Sequence, residues 1–234
     1  EYTLIDSFDI NNYEEAIKPN TKIIFIESPS NPLLKVIDLE AIGNISKKYN
    51  LISIIDNTFA SPINQNPADF GIDIIIHSAT KYLGGHSDIL AGALASTKSN
   101  IEKIVKSSIN YGGNLSEYTV WLLERSIKTL SLRVKKHNDN ALAVSNFLLN
   151  HKKVKSVYYP GLESHPDHEL SSRQMSGYGG MLSFELSNLD EAILFTRKIK
   201  LIKSLKEKLE ANSVILIKGS RFMKMEEVVA SLVK

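Results

Sequence analysis

A lysine at position 81, a carboxylate at 56 and hydroxyls at 78 and 80 fall in one stretch. It reads D-N-T-F-A-S-P-I-N-Q-N-P-A-D-F-G-I-D-I-I-I-H-S-A-T-K over residues 56–81. A lysine stripped of solvent by burial gives up its proton more readily, and the free amine is a nucleophile that forms a Schiff base with a carbonyl compound. A carboxylate set against a pyridine nitrogen keeps that nitrogen protonated and makes the ring an electron sink. Hydroxyls beside the lysine can hold a phosphate. Lysine, carboxylate and hydroxyls together are what pyridoxal phosphate requires. The same residue types also occur as a buried Asp–Lys ion pair or an exposed lysine, and spacing alone leaves these alternatives open.

Such a group of side chains needs elements that bring it to one place. Leu51–Ile55 and Ile72–Ile76 are short β-branched runs, closed by Asp56 and by the segment His77–Lys81 respectively. Runs of this kind bounded by turn residues predict buried strands. Ligands of open α/β sheets gather beyond the carboxyl ends of the strands, which is where Asp56 and Lys81 fall. An earlier strand is predicted over Thr21–Glu27, stopped by Ser28-Pro29-Ser30-Asn31-Pro32. Asp38 is placed to cap a helix running to Tyr49. Strand, helix and strand joined by short loops make a βαβ unit, so a parallel sheet is expected.

Beyond Lys81 the pattern predicts a turn over Tyr82–Asp88 and a strand over Ile89–Ser96. From Leu115 onward Leu122, Leu123, Ile127, Leu130 and Val134 form a helical stripe. The expected organisation is a large-domain portion over 1–114, a connecting helix over 115–139, a partial α+β C-terminal domain over 140–204 and an atypical tail over 205–234. Within the C-terminal part, helix is expected to continue over 140–150 and again at 165–175 and 189–200. Strands are expected at Val154–Tyr159 and Gly179–Leu186.

Composition narrows the possibilities further. A net charge of +2 with dispersed lysines argues against a nucleic-acid partner. No apolar run approaches the roughly 20 residues that span a bilayer, and no signal-peptide pattern opens the chain. The absence of cysteine removes disulfides, thiolate nucleophiles and Cys-based zinc sites together. A soluble, cytoplasmic α/β protein is expected. The opening Glu1-Tyr2, without methionine, reads as part of a longer chain.

Several blocks resemble the Cys/Met-metabolism family of pyridoxal-phosphate enzymes, the transsulfuration enzymes of cystathionine γ-synthase and γ-lyase type. They are E-S-P-S-N-P at 27–32, D-N-T-F-A-S-P at 56–62 and H-S-A-T-K-Y-L-G-G-H-S-D at 77–88. The likeness continues through L-L-E-R-S-I-K-T-L-S-L-R at 122–133, H-N-D-N-A at 137–141, Y-Y-P-G-L-E-S-H-P at 158–166 and Q-M-S-G-Y-G-G-M-L-S-F-E-L at 174–186. The resemblance implies pyridoxal 5'-phosphate as cofactor, with Lys81 as Schiff-base lysine and proton shuttle. It implies that Asp56 pairs with the pyridinium nitrogen, and that Ser78 and Thr80 bind the phosphate. Asn31 lies near the phenolic oxygen, and Thr58 lines the ring. The implied fold is α/β of the type I, aspartate-aminotransferase-like class, with a mostly parallel sheet truncated at its N-terminus and the start of a smaller C-terminal domain. The implied reaction is elimination or replacement at the γ or β carbon of a small amino acid, such as a homoserine ester or cystathionine. The implied assembly is a homo-oligomer, a dimer of dimers sharing active sites.

Other residues read as ordinary structure: His77 at a strand end, His86 and Asp88 in a turn, Tyr158 and Tyr159 as packing, Trp121 as interface or core. His165, Asp167, His168 and Glu169 read as a solvated helix start. Three departures from the family pattern motivate a second reading, a catalytically inactive remnant. The Tyr-x-Arg and glycine-rich phosphate segments fall before Glu1, and the carboxylate-binding arginine segment is not found. Glu117, Glu124 and Ser126 replace a proline, an apolar residue and a glycine. Finally, V-I-L-I-K-G-S-R-F-M-K-M-E-E-V-V at 214–229 resembles the C-terminal end of a UDP-N-acetylmuramoyl-tripeptide–D-alanyl-D-alanine ligase. No Gly-Lys-Ser/Thr nucleotide loop accompanies it.

Overall fold

Isoleucine-rich runs pair edge to edge to form the sheet that carries the site. In a computed structural model that describes residues 1–5, 8–188, 191–192 and 195, helix α1 (Ile10–Glu15) precedes strand β1 (Ile23–Glu27). Helix α2 (Leu39–Tyr49) then leads to strand β2 (Ile52–Asp56). A short helix α3 (Ser61–Asn64) and a 3-10 turn (Pro67–Phe70) lead to β3 (Ile74–Ser78), and β4 (Gly92–Ser96) follows. The order is β1-β2-β3-β4, with β1, β2 and β3 parallel and β4 antiparallel to β3. Register places Glu27 beside Asp56, Asp56 beside Ile76 and Ser78 beside Gly92. The polar residues that end the runs therefore belong to the strands themselves, slightly later than the expected bounds.

Side-chain alternation gives the sheet two unlike faces. Ile24, Ile26, Ile55 and Ile75 point into a core shared with Leu39, Ile42 and Ile45 of α2. Asp38 starts that helix by accepting from Ala41 N at 3.0 Å, and Asn50 ends it in the left-handed region. On the other face Phe25 is 59% exposed and Ile23 51%, joined by exposed Ile52 and Leu94. Residues 1–5 line a cavity with Ile23 and Phe25, but these last two side chains stay more than half exposed.

Gly43 shows how closely α2 sits. A Cβ at that position would lie 2.2 Å from the Phe70 carbonyl oxygen, which is backbone and cannot swing aside. A glycine inside a helix ordinarily costs about 0.5–1 kcal/mol relative to alanine. Here the replacement reverses that preference: Gly43→Ala is expected to destabilise by about 1–3 kcal/mol. The check is a chemical-denaturation midpoint that falls with an unchanged slope.

The second half begins with α4 (Lys98–Tyr111), α5 (Glu117–Ile127) and α6 (Leu130–Leu149). Strand β5 (Val154–Tyr158) pairs antiparallel with β6 (Ser183–Leu186), and α7 (His168–Gln174) lies between them in sequence. The single connecting helix expected over 115–139 is two helices, interrupted at Lys128–Thr129. The Thr129 hydroxyl donates to Ser126 O at 3.2 Å and Arg133 Nη2 donates to the same oxygen at 2.9 Å. Side chains thus take a carbonyl that a continuous helix would use.

One further expectation is corrected and one is narrowed. His165 is buried, not solvated, and accepts from Asp167 N through Nδ1 at 3.1 Å, while Asp167 Oδ2 accepts from Val36 N at 2.9 Å. Of the two readings of Trp121, interface or core, exposure leaves only the first; the ring stacks on Tyr118 with centroids 6.1 Å apart. Most of the helix expected at 189–200, and the whole tail from 205, lie outside the described residues. No helix among the described residues is long and apolar enough to cross a membrane.

Candidate active site

The carboxyl ends of β1, β2 and β3 meet through a chain of hydrogen bonds. Ser28 N donates to Asp56 O at 3.2 Å, and Asn57 N to Ile76 O at 3.0 Å. One oxygen of Asp56, Oδ1, accepts from Thr58 N at 3.0 Å and from Thr58 Oγ1 at 2.5 Å. The Thr58 hydroxyl in turn accepts from Ser78 N at 2.7 Å. Thr58 therefore links the last residue of β2 to the last residue of β3. It also fixes which oxygen of the carboxylate is occupied, since Asp56 Oδ2 has no hydrogen-bond partner among the described residues.

Lys81 stands one turn past β3. Its amide donates to Ser78 O at 3.0 Å and its carbonyl accepts from Gly85 N at 2.7 Å. Its Nζ makes no hydrogen bond or ion pair with the described residues. An Asp56–Lys81 ion pair, open as an alternative from spacing alone, is not formed. The hydroxyl of Ser78 and the amide of Asn31 likewise lack partners among the described residues. Asn31 is exposed on the loop after β1. Thr80 differs: its Oγ1 accepts from Ala91 N at 2.9 Å and approaches Ala91 O at 3.3 Å. That second contact is long, so the hydroxyl proton is only weakly held.

A buried polar layer supports these residues from beneath. The Asn57 amide donates to Ser28 O at 2.8 Å and to Gln65 Oε1 at 2.7 Å. Gln174 of α7 donates to Ile37 O at 2.9 Å and accepts from Leu39 N at 3.3 Å. Ser28 Oγ accepts from Ile37 N at 3.2 Å. The loop that carries Asn31 is thereby fixed to the sheet at one end and to α7 at the other. D-N-T and Q-M-S-G signal Asn57 and Gln174 in the sequence, but neither is singled out there.

His77 alternates with Ser78 along β3 and lies buried on the opposite face, its Nδ1 without a hydrogen bond among the described residues. Burial lowers its pKa, against the opposing pull of Asp56 and the Asn57 backbone. Burial also lowers those of His137, aided by the Arg133 cation, and of His165, opposed by Asp167. Each of these groups binds its proton more readily unfolded than folded. Stability therefore stays level above about pH 6.5, the ordinary histidine value, and falls as pH drops below it. Thermal melts between pH 7.5 and 5 are expected to show a decline beginning near pH 6.5; a flat profile would contradict the burial of these rings.

The chemistry of the open groups fits one kind of ligand. A free carboxylate oxygen, an unpaired amine, a free serine hydroxyl and a free amide lie on residues at, or a few positions past, the carboxyl ends of β1, β2 and β3. These donor and acceptor types are compatible with pyridoxal phosphate, whose ring nitrogen, aldehyde, phosphate and phenolic oxygen call for such groups. The family model for Cys/Met metabolism PLP-dependent enzymes matches residues 1–228. The chain belongs to this family. Within the family it is 46% identical over 190 residues to a cystathionine beta-lyase of Lactococcus lactis subsp. cremoris (strain MG1363), covering 80% of this chain and 50% of that one. A cystathionine gamma-lyase of Bacillus subtilis (strain 168) is 44% identical over 202 residues, covering 86% and 53%. The solved structure of cystathionine gamma-lyase from Lactobacillus plantarum complexed with L-serine superposes with a TM-score of 0.77 at 45% identity. That match covers 79% of this chain and 49% of that one. The chain spans about half the length of these relatives.

The expected α/β class with a mostly parallel sheet is thus observed, and the family match runs further than the expected 1–204. It includes much of the segment whose likeness to a cell-wall ligase lies outside the described residues.

Proposed function

We propose that this chain holds the cofactor of a pyridoxal-phosphate enzyme acting on carbon–sulfur or carbon–oxygen bonds at the γ or β carbon of a small amino acid. Cystathionine and homoserine esters are the substrate class. The observation that carries the reading is the set of unsatisfied groups at one sheet edge: Asp56 Oδ2, the Ser78 hydroxyl, Lys81 Nζ and the Asn31 amide. Pyridoxal phosphate, when bound, supplies an electron sink for negative charge at the amino acid's Cα.

The residues divide the remaining work. Asp56 holds a proton on the ring nitrogen through Oδ2 while Thr58 fixes its other oxygen. Ser78 and Thr80 donate hydroxyl protons to phosphate, Thr80 by turning its proton away from Ala91 O. Asn31 donates its amide to the phenolic oxygen. Lys81 would hold the cofactor through its aldehyde, and its free amine would take the proton from Cα and return it where the reaction needs one.

Residues 1–114 make the cofactor-bearing domain, 115–139 the connection and 140–204 part of a smaller domain. The exposed Tyr118–Trp121 pair, with exposed Ile109, Tyr111 and Leu132, supports burial against another copy in a cytoplasmic homo-oligomer, a dimer of dimers. The test divides the purified chain, reconstituted with pyridoxal phosphate, into two portions: one is reduced with borohydride and peptide-mapped, and the other, unreduced, is incubated with cystathionine and with a homoserine ester. A label on Lys81 together with thiol release from cystathionine or oxo-acid formation from the homoserine ester is the expected result. A label elsewhere, or none, overturns the cofactor assignment. A label on Lys81 without turnover of either compound overturns the catalytic one and favours an inactive remnant.

A further inference from the structure

The turn that carries Lys81 is gripped by an arginine from a distant helix. Arg133, in the first turn of α6, donates from Nη1 to Tyr82 O at 2.7 Å and from Nη2 to Leu83 O at 3.3 Å. The same Nη2 donates to Ser126 O at 2.9 Å, and Nε donates to Thr129 Oγ1 at 3.1 Å. No carboxylate forms an ion pair with this guanidinium among the described residues. Its partners are carbonyls and one hydroxyl, arranged so that a planar fork of donors reaches four oxygens at once. One of them ends α5, where the helix dipole adds its own attraction for a cation.

The fit leaves no slack. Gly85 sits at φ +75°, and a Cβ there would lie 2.0 Å from Arg133 Nη1. From the other side the buried Tyr82 hydroxyl accepts from Gly180 N at 2.7 Å, and its ring lies 5.6 Å from that of His137. Burial raises the phenol's pKa to about 12, so it serves as a neutral hydrogen-bonding group. The residue after Lys81 is therefore held at both ends, its carbonyl by α6 and its hydroxyl by the loop before β6. Thr80, the residue before Lys81, is held to Ala91. Between Thr80 and Leu83, Lys81 alone has a side chain without a partner among the described residues, and it is long and flexible.

We propose that Arg133 is a positioning residue for Lys81. By fixing the carbonyls of residues 82 and 83 it sets where the lysine side chain starts and so where its amine can reach. The proposal rests on the reading of Lys81 as the residue that binds the cofactor and moves the Cα proton. Covalent capture of the aldehyde tolerates a shifted backbone, because the side chain has four rotatable bonds. Proton transfer to and from a fixed carbon does not, since misplacement of about 1 Å can cost on the order of 100-fold.

The test compares the full chain with its Arg133→Met and Arg133→Lys variants, each loaded with pyridoxal phosphate. Borohydride labelling of Lys81 is expected to reach the same stoichiometry in all three. The visible circular dichroism of the bound cofactor, which reports how rigidly it is held, is expected to weaken in Arg133→Met. Exchange of the Cα proton of L-alanine with deuterated solvent is expected to slow about 10- to 100-fold with little change in KM, and Arg133→Lys to recover part of both signals. Unchanged exchange and dichroism in either folded variant overturn the positioning role, as does a loss of labelling stoichiometry equal to the loss of exchange. Should Arg133→Met not fold, Arg133→Lys decides alone, because it keeps the charge and loses the fork. Absence of label on Lys81 in the unaltered chain overturns the underlying assignment instead, which separates the two failures.

Discussion

Changing Lys81 to alanine is expected to abolish both borohydride labelling and turnover while leaving the fold unchanged. The amine makes no hydrogen bond or ion pair with the described residues, so its removal leaves no buried partner unpaired. Substitutions of that kind usually shift stability by no more than about 0.5 kcal/mol. The catalytic loss combines covalent binding with proton transfer, and the proton-transfer part alone contributes about 100- to 10,000-fold. Arginine at position 81 is expected to be equally inactive, because a guanidinium does not deprotonate in proteins and cannot act as nucleophile or base. Equal melting temperatures with a loss of at least about 1,000-fold in kcat/KM are the expected signature. Labelling that persists on another lysine would move the site. A large drop in melting temperature would show that the amine has a structural role.

How much of this was readable beforehand depends on whether a residue acts through its neighbours in sequence or in space. The strands were legible because isoleucine crowds them, and the helix from Asp38 because its cap and stripe agree. Their ends were less so: Asp56, His77 and Ser78 looked like residues beyond the strands, yet they continue the ladder, since backbone pairing does not depend on side-chain polarity. Helix α4 went unread although its signals were present. Ile101, Ile104, Val105 and Ile109 recur at helical spacing between a Thr97 cap and a left-handed Gly112, yet none of its residues is buried. The break after Lys128 had no proline or glycine to announce it, because Arg133 and Thr129 make it with side chains. Local pattern is silent about such contacts.

The site divides in the same way. The types of Asp56, Ser78, Thr80 and Lys81 suggested their chemistry, and family likeness added Asn31 and Thr58. What joins them was not on view. Thr58 as a bridge between strands, Asn57 and Gln174 beneath the loop, and Arg133 on the lysine turn all act across separations that a single sequence does not encode. The Thr80 hydroxyl, read as an open phosphate ligand, is already in contact with Ala91 and must redirect its proton to serve.

Asp56→Asn tests whether the carboxylate acts through charge or only through shape. Asparagine keeps the size and can offer its carbonyl oxygen to Thr58 N and Oγ1, so the link to Ser78 and the strand ends survives. What changes is the second position. Where the carboxylate presents an acceptor with negative charge, the amide presents an N–H donor, which cannot hold a proton on a ring nitrogen. The expected result is weaker cofactor retention and a loss of about 100- to 1,000-fold in kcat, the range seen when one preorganised electrostatic partner is removed. Thr58→Val gives the complementary result. It leaves the charge in place but removes the acceptor for Ser78 N and the shortest hydrogen bond to Asp56. That change is expected to cost about 1–3 kcal/mol of stability and a smaller share of kcat. If Asp56→Asn loses stability instead of kcat, and Thr58→Val the reverse, the carboxylate is a strand clamp and the threonine is the group that faces the cofactor.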